Sequence, residues 1–361
     1  MSEAANRIIV CVLATLLLAS CAQQPSTSTT DNIAAVSIMT FNVENLFDTL
    51  DDPGKDDSTY LPLKHKQTVA HRDRCSELQV ERWRDQCLNY DWSTIALEIK
   101  MSAVARAALQ FNGGRGPDIL VLQEIENANV LEQLRVGFLS SAGYRPAVLI
   151  EGNDKRGIDV AFLSRFDLAG DAVLHAVAHA GWEQSRIDDT RGILEATFRL
   201  PDGTLLTGYA VHFPAPYHPR EMREQAYEAL NLLHDALPPG RMAFAAGDFN
   251  TTAAENAEHK MLDRWVRPKW IVAHDACSGC PGTYFYPPNN TWSFLDTILW
   301  SRAGRGEKTT WRMRAGSVQL VNRAAGQTTA DSKPRRFELP DGTGISDHWP
   351  LAMTIESVPK Q

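Results

Sequence analysis

Positive charge is in short supply in this 361-residue chain: 36 Lys and Arg face 44 Asp and Glu, a formal net charge of −8. Such a balance argues against a broad electrostatic binder of nucleic acid and leaves any phosphate chemistry to a local cation. The patterns GxxxxGK[ST] and GxGxxG are both missing, which disfavours an NTPase or a dinucleotide enzyme. Neither a serine elbow nor a cysteine nucleophile is apparent, and no internal repeat is visible. The apolar run from Ile8 to Ala19 is too short to span a bilayer and fits the core of a signal peptide. Apolar content, 43%, is ordinary for a globular protein, and the length allows a sizeable core.

What is there begins with "LLASC", small residues directly before Cys21. The stretch resembles a bacterial lipoprotein signal over residues 1–21, with Cys21 as the lipidated residue, an ordinary cleaved signal or a buried helix being the other readings. By the same resemblance Ala22 favours the outer membrane, so the expected location is extracytoplasmic, held to the bacterial membrane by a lipid anchor. Residues 22–35, rich in Ser and Thr, read as a flexible tether. Of six cysteines, Cys11 would leave with the signal, and Cys75, Cys87, Cys277 and Cys280 remain beside Cys21. In an oxidising compartment these suggest two disulfides in one of three connectivities, the sequence-local pairs 75–87 and 277–280 being the simplest. "CSGC" also has zinc-ligand spacing, without a second ligand pair to accompany it.

Short runs rich in Val, Ile, Leu and Phe, bounded by Gly, Pro, Asn and Asp, predict about ten strands: "AVSIMTFN", "DILVLQEI", "RPAVLIEG", "IDVAFLSR", "ILEATFRL", "LLTGYAVHF", "MAFAAGDF", "SFLDTILWS", "SVQLV" and "HWPLAMTIE". Helices are predicted after Ser93 toward Phe111, after Asn127, and after Pro219 with Met222, Ala226, Leu230, Leu233 and Leu237 on one stripe. Many strands and few helices imply an α+β arrangement of two sheets packed face to face with helices outside. Residues 50–92, charged and not strand-like, read as an insertion between the first strand and the first helix.

Polar residues gather at the strand ends: Asn42 and Glu44 in "FNVEN", Glu124 in "LQEIEN", His212 in "VHFPAP", Asp248 and Asn250 in "GDFN", Asp296 inside "FLDTIL", and Asp347–His348 in "SDHWP". Asn42 and Glu44, two apart, would point to one side if the chain stays extended. A turn, a solvated strand end for Glu124 or a hydrogen-bonded core histidine for His212 accounts for any one of them. Asp296 is the exception, since an unpaired carboxylate in an apolar strand is expensive to bury and demands a partner such as His348. Asn42, Glu44 and Glu124 offer only oxygen, which suits Mg²⁺ or Mn²⁺. The histidines and Asp248 are suited to holding a phosphate and activating a water. Arg156 is either a phosphate contact or a solvated loop charge. Trp292 and the tyrosines of "GTYFYPPNNTW" are either ring-stacking residues or packing aromatics.

These six motifs, in this order over about Val36 to Glu356, resemble the endonuclease/exonuclease/phosphatase superfamily, whose fold is the deoxyribonuclease I-like four-layer sandwich of two mixed β-sheets flanked by helices. The resemblance implies a metal-dependent phosphoester hydrolase, most simply a phosphodiesterase or nuclease, with a phosphomonoesterase or phospholipid diesterase as the alternative and a non-catalytic lipoprotein as the third reading. It implies that Asn42 and Glu124 sit at the metal, joined by Glu44 and Asp347. Asp248 would activate water, Asn250 would bond the scissile phosphate, and His348 would contact it, oriented by Asp296. His212 would assist the leaving group; Asp159, expected with Arg156 among the substrate-binding residues, is a candidate for the acid that orients it. The expected partners are a phosphoester substrate, nucleic acid first, and the membrane at Cys21, with the protein a monomer.

Overall fold

The computed structural model of the chain describes residues 34–302 and 309–359. The predicted signal segment with Cys21 and nearly all of the 22–35 tether lie outside the described residues. Within them the strands are β1 (Ala35–Leu46), β2 (Ile119–Ile125), β3 (Val148–Leu149), β4 (Asp159–Ser164), β5 (Val173–His175), β6 (Ile193–Arg199), β7 (Leu205–His212) and β8 (Met242–Asp248). They continue with β9 (Trp270–Val272), β10 (Tyr284–Tyr286), β11 (Thr291–Ser293), β12 (Asp296–Ser301), β13 (Thr309–Met313), β14 (Gln319–Leu320) and β15 (Leu351–Pro359). One sheet runs β13-β15-β1-β2-β4-β3 with β14 also on β15; the other runs β5-β6-β7-β8-β12-β9; β10 and β11 form a separate hairpin. Both sheets are mixed, with β1–β2 and β7–β8 parallel among antiparallel neighbours.

Side-chain alternation along the strands assigns the layers. Val36, Ile38, Val121 and Phe162 of the first sheet meet Ala196, Phe198, Phe244 and Ile298 of the second in one buried cluster. Phe162 stands edge-on to Phe198 and Phe244, with ring centroids 5.4 and 6.3 Å away. Each such ring contributes about 1.5–3 kcal/mol by burial. The alternate residues face outward to helices. Met39, Phe41, Leu120 and Leu122 pack with the helix Thr94–Leu109, and Tyr209, Val211, Ala243 and Ala245 with Arg220–Asp235. The result is the expected four-layer sandwich.

The predicted helix starts hold. Ser93 Oγ accepts from the Ala96 N–H at 3.4 Å, and Asn127 Oδ1 from the Val130 N–H at 2.9 Å. Short strands such as β5, β9 and β11 carry too little alternation to be read from sequence. The last strand begins later than expected, at Leu351 rather than His348. Pro350 lacks the N–H a ladder needs, and His348 makes an isolated bridge to Tyr284 instead. Tyr284 and Trp292 of "GTYFYPPNNTW" pack on His348 and Trp349 at 4.9 and 5.1 Å between rings, whereas Tyr286 is exposed.

Residues 50–92 form a small helical layer, with helices Val69–Ser76 and Glu81–Asn89 joined by the Cys75–Cys87 disulfide. Buried Lys66 donates to the carbonyls of Thr59 and Tyr90 at 2.6 and 2.7 Å, tying the two ends of this layer together. Tyr60 stacks on Phe47 at 4.1 Å, and Trp92 Nε1 donates to the Phe47 carbonyl at 3.0 Å, pinning the layer to the end of β1. Cys277 and Cys280 form the second disulfide, which commits both sulfurs of "CSGC" and removes the zinc reading.

Candidate active site

Strand pairing brings the polar ends together. Asp248 lies opposite His212 in the parallel β7–β8 pair and opposite Asp296 in the antiparallel β8–β12 pair. Gly247 makes this possible: its φ is +151°, and a Cβ there would sit 1.9 Å from the Val211 carbonyl oxygen. On the other sheet, β1 and β2 pair Asn42 with Gln123 and then Leu46 with Ile125, so Val43–Glu44–Asn45 bulges out of register. The extended geometry expected for Asn42 and Glu44 is therefore replaced by a turn, in which Asn42 Oδ1 accepts from the Glu44 N–H at 3.0 Å. Glu44, Asn45, Glu124 and Asn250 all have φ between +52° and +65°. Left-handed backbone at non-glycine residues costs free energy, and its clustering here marks a functional site.

Two groups of side chains result. The first centres on Asp248, buried with Asn42, Asn250, Asp296, His212 and His348. Asn42 Nδ2 donates to both Asp248 Oδ2 and Glu124 Oε1 at 3.2 Å, linking the two sheets. Asp248 Oδ1 accepts from the Asn250 N–H at 2.9 Å. His348 Nδ1 bonds Asp296 Oδ2 at 2.7 Å, the pairing that the buried Asp296 demanded. Burial pushes the Asp248 carboxyl up to about 7, with the Asp296 charge adding and His348 opposing. Burial alone would lower the His348 pKa; the Asp296 charge and hydrogen bond, then Asp347 and Asp248, reverse this and hold it well above the ordinary histidine range. His212 goes the other way. Burial, reinforced by Arg191, Arg156 and His348, keeps it well below that range, a neutral imidazole with Nε2 3.7 Å from Asp248 Oδ2.

The second group is Glu44, Glu124 and Asp347. Glu124 Oε2 accepts from the Asn45 N–H at 3.0 Å. Glu44 is tied to Arg336 and to the N–H groups of Phe337 and Asp347, and Arg336 reaches Asp347 Oδ2 at 3.2 Å. Burial and then Asp347 push Glu44 up to about 7 against the pull of Arg336 and Lys100. Burial lowers Lys100 to about 8, opposed by Glu44, Asp347 and Glu124. Lys100 and Arg336 stand among these carboxylates, and Arg156 lies beside Glu124. The oxygen lone pairs left on Glu124, Asp347 and Asn42 suit a hard divalent cation. Glu44, with both oxygens engaged, is the weakest ligand of the four expected.

Of the remaining expectations, Arg156 lies at the site, its Nη2 on Asn45 Oδ1 at 2.5 Å. Asp159 is a correction. Its Oδ1 accepts from the Gly152 N–H at 2.9 Å, and His212 Nδ1 has no hydrogen-bond partner among the described residues. The carboxylate is held by the neighbouring loop and does not orient the histidine. Arg336 and Lys100 were missed. Arg336 lies 292 positions from Glu44, and nothing in the local sequence points to it. Lys100 left a signal, falling three residues after Leu97 and four before Val104 on the buried stripe of its helix.

Glu44, Glu124 and Asp347 open into a cleft of about 700 Å³, whose opposite wall is the 50–92 layer, including Tyr60, Arg82, Trp83 and Tyr90. Carboxylate and amide oxygens beside a buried aspartate, two histidines and an arginine are groups suited to phosphoester hydrolysis. The chain matches the Endonuclease/Exonuclease/phosphatase family over residues 39–348 and belongs to it. No curated protein matches the chain. Solved structures share the fold. A Bacteroides thetaiotaomicron family protein has a TM-score of 0.54 at 14% identity, covering 90% of this chain and 98% of the other. The mannosyl-6-phosphatase of the same organism reaches 0.53 at 14%, over 90% and 99%. TDP2 of D. rerio, complexed with a single-strand DNA product, reaches 0.50 at 16%, over 89% and 99%. Family and fold together make the chain a phosphoester hydrolase.

Proposed function

We propose that the protein is a divalent-metal-dependent phosphodiesterase that cleaves nucleic acid outside the cytoplasm, tethered to the bacterial outer membrane through Cys21 and acting as a monomer. The observation that carries the reading is the Asp248 hub: one buried carboxylate bonded by Asn42 and Asn250, with His212 3.7 Å away and the Asp296-bonded His348 beside it. Burial pushes that carboxyl upward, toward taking a proton from water near neutral pH. His348, fixed by Asp296 at Nδ1, turns Nε2 and its positive charge to a phosphoryl oxygen. Asn250 spends one amide hydrogen on the Phe213 carbonyl at 2.9 Å and keeps the other for the phosphate. His212 serves as a neutral hydrogen-bond donor to the departing oxygen, since it lacks the acid partner that would make it an imidazolium. Glu124, Asp347 and Asn42 would hold Mg²⁺ or Mn²⁺, which neutralises charge building on phosphorus oxygens.

The small volume of the cleft favours a second reading, hydrolysis of a small phosphomonoester. Purified protein assayed with Mg²⁺, Mn²⁺ or EDTA against single-stranded DNA, RNA, bis-p-nitrophenyl phosphate and p-nitrophenyl phosphate separates the two. Metal-dependent strand cleavage is expected. Turnover of the monoester alone would replace the nuclease reading with the phosphatase one.

A further inference from the structure

Trp83 is the one exposed tryptophan of nine, 58% accessible, on the helix Glu81–Asn89 of the 50–92 layer. It has no ring partner among the described residues, so it contributes little to packing. It faces the active-site cleft. A second aromatic facing the same cleft, Tyr217, comes from the loop after β7 and is 68% accessible. Its hydroxyl donates to Asp189 Oδ2 at 2.7 Å and its ring lies 4.3 Å from the His218 ring, so it is held ready without being covered. Arg82 and Lys155 line the same space.

We infer that this cleft is a base pocket, in which Trp83 and Tyr217 stack on one unpaired base while Arg82, Lys155 and Arg156 receive the flanking phosphates. The inference rests on the nuclease reading above and names its substrate: a single-strand end or loop, not duplex. Three features favour it. Two exposed aromatics from separate elements turned into one cleft are how proteins grip unpaired bases. The volume of about 700 Å³ holds one or two nucleotide units and is far too small for a duplex. The lining also carries Asp56, Asp189 and Glu124, which discourage a long polyanion and leave room for few phosphates.

The test is equilibrium binding with Ca²⁺ in place of the activating metal, using a labelled five-nucleotide thymidine strand and an abasic strand of the same charge. Wild-type protein, Trp83→Ala, Trp83→Phe and Tyr217→Ala are compared. The base-bearing strand is expected to bind about ten-fold tighter than the abasic one. That preference should fall to within two-fold in Trp83→Ala, weaken in Tyr217→Ala and persist in Trp83→Phe. Equal affinity for the two strands in wild type, or a preference that survives Trp83→Ala, overturns the pocket. Strand cutting in Mg²⁺ without any base preference removes the pocket and keeps the nuclease. Base-preferring binding without cutting under any metal removes the nuclease and keeps the pocket. No binding of either strand removes both.

Discussion

The floor and the roof of the cleft are built by different physics. The floor belongs to the sandwich. Glu124 lines the cleft at a bulge of β2, and Asn42, His212, Asp248 and Asp296, buried next to it, are on strands whose other residues fill three apolar clusters, so their positions follow from sheet register. The roof, residues 50–92, buries few apolar side chains and depends on a disulfide, a lysine bonded to backbone carbonyls and a small aromatic stack. A register-built floor is expected to be rigid and chemically committed. A roof held by a few cross-links is expected to open locally without unfolding the rest.

The largest effect should come from the floor. His348→Ala removes the charged contact that Asp296 orients and is expected to lower kcat on bis-p-nitrophenyl phosphate on the order of a thousand-fold. A change under five-fold would place the chemistry elsewhere. Breaking the roof should do less to chemistry and more to selection. Replacing Cys75 and Cys87 by Ser releases a short loop whose closure contributes about 3 kcal/mol. Hydrogen exchange should rise across 58–92 and not in β8, while turnover of the small diester stays within about two-fold. Lys66→Met leaves the Thr59 and Tyr90 carbonyls without their buried donor and should cost about 1–3 kcal/mol of local stability. Protease nicking inside 58–92 with an intact sandwich core is the expected sign, and global unfolding at the same denaturant concentration as nicking would erase the distinction. The smallest effect concerns salt. With three cations facing the strand, at about −0.7 per phosphate contact, log affinity should fall with log salt no more steeply than about −2. A slope beyond about −4 would mean an extended basic track outside the cleft.

The sequence exposes the floor well because a strand-end carboxylate or histidine next to an alternating apolar run is a local signal. Asp296 in "FLDTIL" is the clearest case, and its partner His348 follows from the cost of burying it alone. The roof is less readable. Residues 50–92 announce themselves as an insertion by charge and cysteine, but which wall they form depends on contacts with Phe47 and Phe337 that no spacing encodes. The same holds for Arg336, which meets Glu44 only through the folded chain. Asp159 departs from expectation for the same reason. Its place at the start of β4 was foreseeable, but its choice of Gly152 over His212 belongs to loop geometry.

The opposition of His212, Asp248 and Asp296 across three adjacent strands has an evolutionary consequence. A single residue gained or lost inside β8 would turn Asp248 to the opposite face and strand both neighbours. Lineages carrying this site can change composition freely but cannot change length within those strands. Length drift must be absorbed by the connections between strands, such as residues 50–92 between β1 and the helix Thr94–Leu109.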